Sequence, residues 1–245
     1  MRYFLADLHI HSVLSPCGGL EMSPRAVVDR LVSLGINWMA ITDHNSLANC
    51  PAYASVAHSA GMNFTWGVEM QTQEEIHLLV YFDAAGSARE FGKALYDSLL
   101  PINNDPDFFG DQVIIDENEN ITGMEHKALV NSSVWDLATA VSMARGFEGY
   151  CVPAHIDASA NSILGQLGFL PDDPKFDLLG ITAGLDAAAY RAEHPELANK
   201  AFLRCSDAHY LCDLGSGFSK VHVNSATVAE LALAAGGVDS RSILV

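Results

Sequence analysis

The stretch Asp7-Leu8-His9-Ile10-His11-Ser12 decides how this 245-residue chain folds. It overlaps an apolar run, and we predict a first β-strand over residues 3–9. Asp7, His9 and His11 alternate along the chain, so they project from one face of an extended segment. In α/β barrels the carboxyl ends of the strands converge on one face, where active sites are built. We therefore expect this stretch to carry part of an active site.

Strand and helix patterns alternate along the rest of the chain, which indicates parallel β-α units. Further strands are predicted over residues 36–42, 63–70, 76–82, 150–154, 177–182, 201–206 and 220–223. One helix is predicted to begin at Pro24, after Ser23 as N-cap, and to end just before Gly35. Further helices are predicted over residues 47–60, 88–99 and 133–145. A last helix begins at a capping box over residues 227–230 and ends at Gly236-Gly237.

These elements predict an α/β fold, a distorted (β/α)7 barrel with its metal site at the carboxyl ends of the strands. An open doubly wound sheet is the alternative. We expect one domain over residues 1–245. The stretch at about 101–126 breaks the alternation and is rich in Asn, Asp, Gly and Pro, which is typical of an irregular insertion.

The composition narrows the classes of function. The chain has 30 acidic and 13 basic residues, a formal net charge of −17, which disfavours long nucleic acid as a partner. No apolar run is long enough to span a membrane, and no apolar signal core is visible, so we expect a cytoplasmic protein. The five cysteines are scattered without a CxxC pair, which argues against a zinc ribbon or a disulfide framework.

Six of the ten histidines lie near predicted strand ends: His9, His11, His44, His77, His155 and His209. His77 fits less well, because it starts its strand. Carboxylates accompany them at Asp7, Asp43, Glu69, Asp157 and Asp207. Imidazole and carboxylate together suit Zn, Mn or Fe, and a glutamate such as Glu69 can bridge two metals. The other histidines, His58, His126, His194 and His222, are interpreted as surface or packing residues.

In its motifs the sequence resembles the PHP family, named for polymerase and histidinol phosphatase domains. The resemblance rests on DLHIHS at residues 7–12, ITDHN at 41–45, the glutamate of GVEM at Glu69, EEIHLL around His77, PAHID around His155 and SDAH at 206–209. These motifs occur in the family's order. The resemblance implies a distorted (β/α)7 barrel that holds, in many members, a trinuclear metal centre.

Transferred residue by residue, the resemblance implies three sets of metal ligands. The first set is His9, His11, Glu69 and Asp207, the second is Glu69, His77 and His155, and the third contains His44 and His209. Many relatives complete the third set with a histidine or aspartate from the loop after the first strand, where this chain has Cys17. A thiolate can bind Zn or Fe. The alternatives are that water completes the third site, or that only two metals bind.

We therefore expect a metal-dependent phosphoric ester hydrolase that holds two or three divalent ions and cleaves a small anionic phosphomonoester with metal-activated water. Glu69, Asp207 and His209 are the expected catalytic residues, and Asp7, Asp43 and Asp157 are expected to orient ligand imidazoles. For Asp7 and Asp43 the alternative is a role as structural caps. A nuclease or phosphodiesterase acting on short oligonucleotides or nucleotide 3′ ends is the main alternative. A C–N hydrolase of the amidohydrolase type and a non-catalytic module also remain. The sequence leaves the oligomeric state open.

Overall fold

The structure, a computed structural model, describes all 245 residues. Its strands are β1 Arg2–Asp7, β2 Trp38–Ile41, β3 Asn63–Gln71, β4 His77–Phe82, β5 Val113–Ile115, β6 Ile121–Met124, β7 Tyr150–Pro153, β8 Leu178–Ile181, β9 Ala201–Arg204, β10 Ser219–Val223 and β11 Ser242–Leu244. Its α-helices are α1 Pro24–Ser33, α2 Cys50–Ser59, α3 Ala85–Ser98, α4 Pro106–Phe109, α5 Leu137–Gly146, α6 Ile163–Leu167, α7 Ala187–Glu193 and α8 Val228–Ala235. The predicted strands and helices are present, with ends shifted by a few residues.

The main sheet has seven strands in the order β11, β10, β1, β2, β3, β4, β7, and β8 and β9 form a separate parallel pair. The barrel consists of β1, β2, β3, β4, β7, β8 and β9. The strands β7 and β8 meet where the amide of Ile156 donates to the carbonyl of Gly180, at 2.9 Å. The segments after β9 and β1 meet in a parallel bridge between Ala208 and Ile10. The ring is curled and irregular, as predicted for a distorted seven-stranded barrel, and the open doubly wound sheet is wrong.

The strand β4 runs antiparallel to both β3 and β7, which corrects the expectation of parallel units throughout. In its register with β3, His77 pairs with Gln71, and Leu79 pairs with Glu69. The first residue of β4 therefore lies at the same end of the barrel as the last residues of the parallel strands. This reversal explains why His77 starts a strand and still joins histidines that follow other strands.

Several elements have no counterpart in the sequence-based prediction. The segment at 101–126 contains the short helix α4 and the hairpin of β5 and β6. The helices α6 and α7 and the strand β11 were not predicted either. These elements are short, so their local sequence carries a weak periodic signal. Strand β11 pairs only with β10, at the edge of the sheet.

Apolar packing holds the site from two sides. Phe4, Trp38, Tyr81, Val152 and Leu203 contribute to the core inside the ring of strands. A larger core lies between the strands and the surrounding helices. Because buried apolar side chains pack closely, the strand ends are held in fixed relative positions. No helix has the length and apolar character needed to cross a membrane.

Carboxylates from distant loops cap three helices. Asp83 accepts hydrogen bonds from the first amides of α8, Glu74 accepts one from Leu137 at the start of α5, and Glu119 accepts one from Arg25 in α1. Each carboxylate binds amide groups that have no partner within the helix, and its negative charge complements the positive end of the helix dipole. These contacts tie each of the three helices to a loop from another part of the chain.

Candidate metal centre

Two backbone bridges place the predicted ligands at one end of the barrel. The bridge between Ile10 and Ala208 brings the segment carrying His9 and His11 beside the segment carrying Asp207. A second bridge joins His44 directly to Glu69. Residues that lie far apart in sequence therefore share one cluster, because the ends of neighbouring strands lie side by side.

The carboxylate of Glu69, which is 1% exposed, lies at the centre of this cluster. Five imidazoles surround it. Its Oε1 lies 3.0 Å from Nδ1 of His77 and 3.2 Å from Nε2 of both His9 and His155. Its Oε2 lies 3.3 Å from Nε2 of His11 and 3.2 Å from Nδ1 of His44. A carboxylate with imidazoles at both oxygens is suited to bridge two cations.

A second carboxylate, Asp207, approaches the same imidazoles from the other side. Its Oδ1 lies 3.2 Å from Nε2 of both His9 and His11. This oxygen is buried and has no hydrogen-bond partner. Asp207 and His155 both have positive φ angles, 53° and 28°, in a region that non-glycine residues rarely occupy. Such backbone strain clusters at functional sites, where the surrounding structure holds it in place.

The possible ligand atoms form three groups, within each of which they lie no more than 4.8 Å apart. The groups are His9, His11, Glu69 and Asp207; His44, Glu69 and His77; and His11, His44 and His209. The first matches the first predicted set. His155 reaches the second group through Nε2, 3.3 Å from Nδ1 of His77. The structure thus brings together all eight predicted His, Glu and Asp ligands.

The spacing of these atoms fits a metal shell. A tetrahedral shell with metal–nitrogen distances of about 2.0–2.1 Å has edges of about 3.3 Å between ligand atoms. The Nε2 atoms of His9 and His11 lie 3.3 Å apart, and the nitrogen–oxygen distances around Glu69 are 3.0–3.3 Å. The unpartnered Oδ1 of Asp207 lies within the same shell. Imidazole and carboxylate donors of this kind suit Zn, Mn or Fe.

Electrostatics keeps several ligands in the form that binds a cation. Burial raises the pKa of the Glu69 carboxyl, but the charges of His77 and His9 outweigh burial, so the pKa lies well below its usual value. Burial and the charge of His11 lower the pKa of His44. The same two causes lower the pKa of His209 to about 4. At neutral pH these groups are an ionised carboxylate and neutral imidazoles, the forms that bind metals.

A chain of buried hydrogen bonds holds His11. Its Nδ1 lies 2.9 Å from Oγ of Ser15, and that hydroxyl lies 2.7 Å from Oδ1 of Asp43. Ser12 also binds Asp43, with its amide at 2.7 Å and its hydroxyl at 2.6 Å. Asp43 therefore orients an imidazole as expected, but it acts through Ser15. Sequence reasoning missed Ser15, and the only available signal was its position four residues after His11.

A second residue that sequence reasoning missed is Asn161, whose side-chain amide lies 2.8 Å from Nε2 of His77. The backbone carbonyl oxygen of Asn161 also accepts a hydrogen bond from the backbone amide of His77, at 2.8 Å. Both contacts fix the imidazole with Nδ1 directed at Glu69. On the opposite side of the cluster, Nδ1 of His209 lies 2.9 Å from the carbonyl oxygen of Asp207. No periodic or motif signal in the sequence marks Asn161.

The two other carboxylates expected to orient imidazoles have different partners. Asp157 accepts hydrogen bonds from the amide and hydroxyl of Thr182, so it joins the loops after β7 and β8. Asp7 accepts the amide of Ser206 at 3.0 Å and thereby holds the segment that carries Asp207. Burial raises the pKa of Asp7 to about 7. Neither carboxylate hydrogen-bonds to a ligand imidazole, so the expected role is wrong in that respect.

Cys17 lies at the rim of the site, exposed, and outside the three groups of ligand atoms. Enough protein surrounds its thiol to raise the pKa, although the charge of His11 acts in the opposite direction. Its role as a ligand stays a prediction. The four remaining histidines also lie outside the groups, at the surface or partly buried: His58, His126, His194 and His222.

Comparison with curated proteins gives one match. The chain is 31% identical over 106 residues to an error-prone DNA polymerase from Cutibacterium acnes. The aligned region covers 39% of this chain and 9% of the polymerase. The chain therefore corresponds to a small part of that relative.

Solved structures share the fold. The lesion-specific endonuclease Q from Pyrococcus furiosus superposes with a TM-score of 0.75 at 20% identity, over 98% of this chain and 57% of the endonuclease. Endonuclease Q in complex with a 27-mer duplex carrying an abasic lesion gives a TM-score of 0.71 at 21% identity, over 98% and 58% of the two chains. This chain thus spans somewhat more than half of those enzymes. A candidate metal-dependent phosphoesterase from Bifidobacterium adolescentis gives a TM-score of 0.57 at 16% identity, over 83% and 87%.

The sequence motifs, the curled seven-stranded barrel and the cluster of histidines and carboxylates at its carboxyl end agree with one family. The model of the PHP domain matches residues 7–158, which is more than half of the chain. The chain belongs to the PHP family of metal-dependent phosphoesterases.

Proposed function

We propose that this protein is a metal-dependent phosphoesterase that hydrolyses a small phosphomonoester. The observation that carries the proposal is the position of Glu69, with imidazoles within 3.3 Å of both of its carboxylate oxygens. The proposed metal ligands are His9, His11, His44, Glu69, His77, His155, Asp207 and His209. Bound divalent metals supply a water nucleophile of lowered pKa and offset the charge of the phosphoryl oxygens.

The catalytic positions are assigned to Glu69, Asp207 and His209. Glu69 is fully enclosed and holds the cluster together. The side chains of Asp207 and His209 are 36% and 25% exposed, whereas the other proposed ligands are nearly buried. The phosphoryl group therefore approaches on the side of Asp207 and His209. There Asp207 orients the attacking water. The imidazole of His209 is held in place by the contact of its Nδ1 with the backbone carbonyl oxygen of Asp207.

The distribution of charge favours a substrate with a single phosphate. The segments that follow the strands at the metal end are residues 8–23, 42–49, 72–76, 154–174, 182–186 and 205–218, and none contains Lys or Arg. Arg204 binds the carbonyl oxygens of Ala183 and Leu185, and Lys127 binds that of Tyr96. Nucleic-acid binding relies on many cationic contacts to phosphates. A track for a long polyanion is therefore disfavoured.

The second candidate function is a nuclease. It is favoured by the likeness to endonuclease Q, which has been solved with a duplex substrate at its active site. At 21% identity this likeness concerns the fold, and the rim of the present chain lacks the basic residues that would follow a duplex. A short oligonucleotide needs few contacts between basic residues and phosphates, so a nuclease acting on it is the alternative to be tested.

The test is hydrolysis by the purified chain supplied with Mn²⁺. Release of phosphate is measured for phosphomonoesters and mononucleotides, and the appearance of shorter products is measured for a short single-stranded oligonucleotide. His9→Ala removes a proposed ligand, and His58→Ala is the matched control in an exposed helical position. We expect phosphomonoester turnover that is lost only in His9→Ala. Cleavage of the oligonucleotide alone would transfer the assignment to the nuclease. A protein that binds Mn²⁺ and releases nothing from any substrate would refute both.

A further inference from the structure

A cavity separate from the metal centre lies outside the ring of strands, between the helices α2 and α3. Its volume is about 470 Å³, and most of its wall is apolar, as in sites that bind small molecules. None of the eight proposed metal ligands lines it. The apolar part of the wall includes Leu47, Pro51 and Trp66, and the polar part includes Tyr96 and the wall's two charged residues, Arg89 and Glu125.

Close packing and hydrogen bonds hold the wall in place. A Cβ atom at Gly92 of α3 would lie only 3.1 Å from Cδ1 of Leu47, so the helix packs tightly against the loop after β2. In the same loop, the buried side chain of Asn45 donates to the carbonyl oxygens of Leu129 and Asn131, at 2.8 Å each. The cavity is therefore part of the packed structure and is formed before any ligand binds.

A carboxylate in the wall is oriented by two hydrogen bonds. Oε1 of Glu125 accepts one from the hydroxyl of Tyr96 at 3.0 Å and one from the backbone amide of Lys127 at 2.8 Å. Both bonds use the same oxygen, so Oε2 is left to accept hydrogen bonds from another group. A carboxylate forms its strongest hydrogen bonds with charged donors.

The cations near this carboxylate are engaged elsewhere. The ammonium group of Lys127 lies 4.2 Å from the ring centroid of Tyr96 and donates to the backbone carbonyl oxygen of Tyr96 at 2.8 Å. Arg89 lies two turns before Tyr96 in α3, about 10 Å along the helix axis. Its side chain is 79% exposed, with Nε 3.6 Å from the carboxylate of Glu90. Glu125 therefore has a negative charge without an ion-pair partner.

We propose that this cavity binds a small organic cation, an amine whose apolar or aromatic body contacts Trp66 and Leu47 and whose ammonium group donates to Glu125. The inference goes beyond the proposed function and does not depend on it. An ammonium group has three N–H donors and supplies the charge that Glu125 lacks. Aromatic rings also attract cations, and the indole of Trp attracts them most strongly. An anionic ligand would be repelled by Glu125 and would have to compete with Glu90 for the solvated Arg89.

The test measures binding to the purified chain by calorimetry. It compares 2-phenylethylamine with the uncharged 2-phenylethanol, the anion 3-phenylpropionate and the small cation ethylamine. Each titration is made with and without Mn²⁺, because a ligand of the metal centre would respond to the metal. The variants are Trp66→Leu and Glu125→Gln, which keeps an acceptor for Tyr96 and Lys127. Asp97→Asn, at an exposed position next to Tyr96, is the control with the same change of charge.

We expect 2-phenylethylamine to bind at least about tenfold more tightly than each of the other three compounds, with or without Mn²⁺. Glu125→Gln should remove the preference for the amine over the alcohol, whereas Asp97→Asn should keep it. Trp66→Leu should weaken the binding of the amine and of the alcohol by a similar factor, because it changes only the contact with their common apolar body.

Equal affinities of the unmodified protein for the amine and the alcohol would overturn the inference, and so would tighter binding of 3-phenylpropionate. A preference for the amine that survives in Glu125→Gln would also overturn it. Binding that requires Mn²⁺ would assign the amine to the metal centre instead. Circular dichroism checks that each variant is folded. Since binding is measured without turnover, failure of the phosphoesterase assay would leave this result unaffected.

Discussion

Oγ of Ser15 lies 2.9 Å from Nδ1 of His11 and connects this imidazole to the buried carboxylate of Asp43. Because the hydroxyl donates its proton to Asp43, it accepts the Nδ1 proton of His11. Nε2 of His11, directed at Glu69 and Asp207, 3.3 Å and 3.2 Å away, is then the nitrogen that would be unprotonated when a metal is bound. Asp43, acting through Ser15, thus selects the tautomer of His11 that binds a metal.

Ser15→Ala should weaken metal binding without unfolding the protein. Loss of a partner that orients a ligand imidazole lowers metal affinity by about 10-fold to 100-fold. A calorimetric titration with Mn²⁺ or Zn²⁺ measures the metal affinity. Ser98→Ala is the control, since its buried hydroxyl binds a backbone carbonyl away from the site. An affinity equal to that of the unmodified protein would contradict this role of Ser15.

Glu69→Gln should prevent the ligand cluster from holding its metal ions together. The substitution keeps the shape of the side chain but removes the charge between five imidazoles. We expect fewer bound metal ions per chain, and activity reduced by at least about 100-fold. Metal content after dialysis gives the first quantity and phosphate release the second. Glu75→Gln, an exposed neighbour, should change neither. Full metal content in Glu69→Gln would exclude the bridging role.

The thiol of Cys17 can be examined separately from the imidazoles. In a Co²⁺-substituted protein, a thiolate ligand gives a sulfur-to-cobalt charge-transfer band that imidazoles and carboxylates do not give. If Cys17 is a ligand, the band is present and disappears in Cys17→Ser. Cys212→Ser is the control, because this second exposed cysteine has not been assigned to the metal centre. A Co²⁺-loaded protein without the band would show that the prediction for Cys17 is wrong.

Asp83→Ala should destabilise the fold without affecting the site. Asp83 accepts the amides of Val228 at 2.6 Å and Ala229 at 3.2 Å, so it caps α8 from another part of the chain. Loss of this cap should lower the free energy of unfolding by about 1 kcal/mol. Urea denaturation measures the change. Asp97→Ala removes an exposed aspartate within α3 and should cost less. Equal effects of the two substitutions would argue against capping by Asp83.

Glu230 predicts a pH dependence of stability away from the metal centre. Its carboxylate receives two hydrogen bonds from Arg241 at 2.8 Å, and Arg241 and the amide of Asn224 lower its pKa from the usual 4.5 to about 2. Because the folded state holds the ionised form, this stabilisation is complete above pH 4.5 and is lost as the pH falls toward 2. Glu230→Gln removes it.

The measurement is the difference in unfolding free energy between the unmodified protein and Glu230→Gln, at several pH values. The difference should be constant near neutral pH and shrink below pH 4.5. A difference that does not change down to pH 2 would show that ionisation of Glu230 does not stabilise the fold.

The sequence by itself determined the barrel and the ligand types. The alternation of apolar strands with capped helices is a local, periodic signal, and it predicts a β-α barrel before any contact is known. The ends of parallel strands must meet at one face, so the histidines and carboxylates at those ends could be assigned to one site. For this reason His9, His11, His44, Glu69 and Asp207 could be predicted to lie close together, and the structure places them in one cluster.

Only the tertiary structure decided how the ligands are oriented and what surrounds them. The reversal of β4, which brings His77 to the site, is a property of strand pairing. Ser15 and Asn161 orient His11 and His77 through hydrogen bonds whose distances are set by loops with no periodicity. Gly110 packs on the carbonyl oxygen of Pro16, a contact between two segments that lie far apart in sequence. Such contacts depend on chain folding over long separations, and local sequence patterns do not encode them.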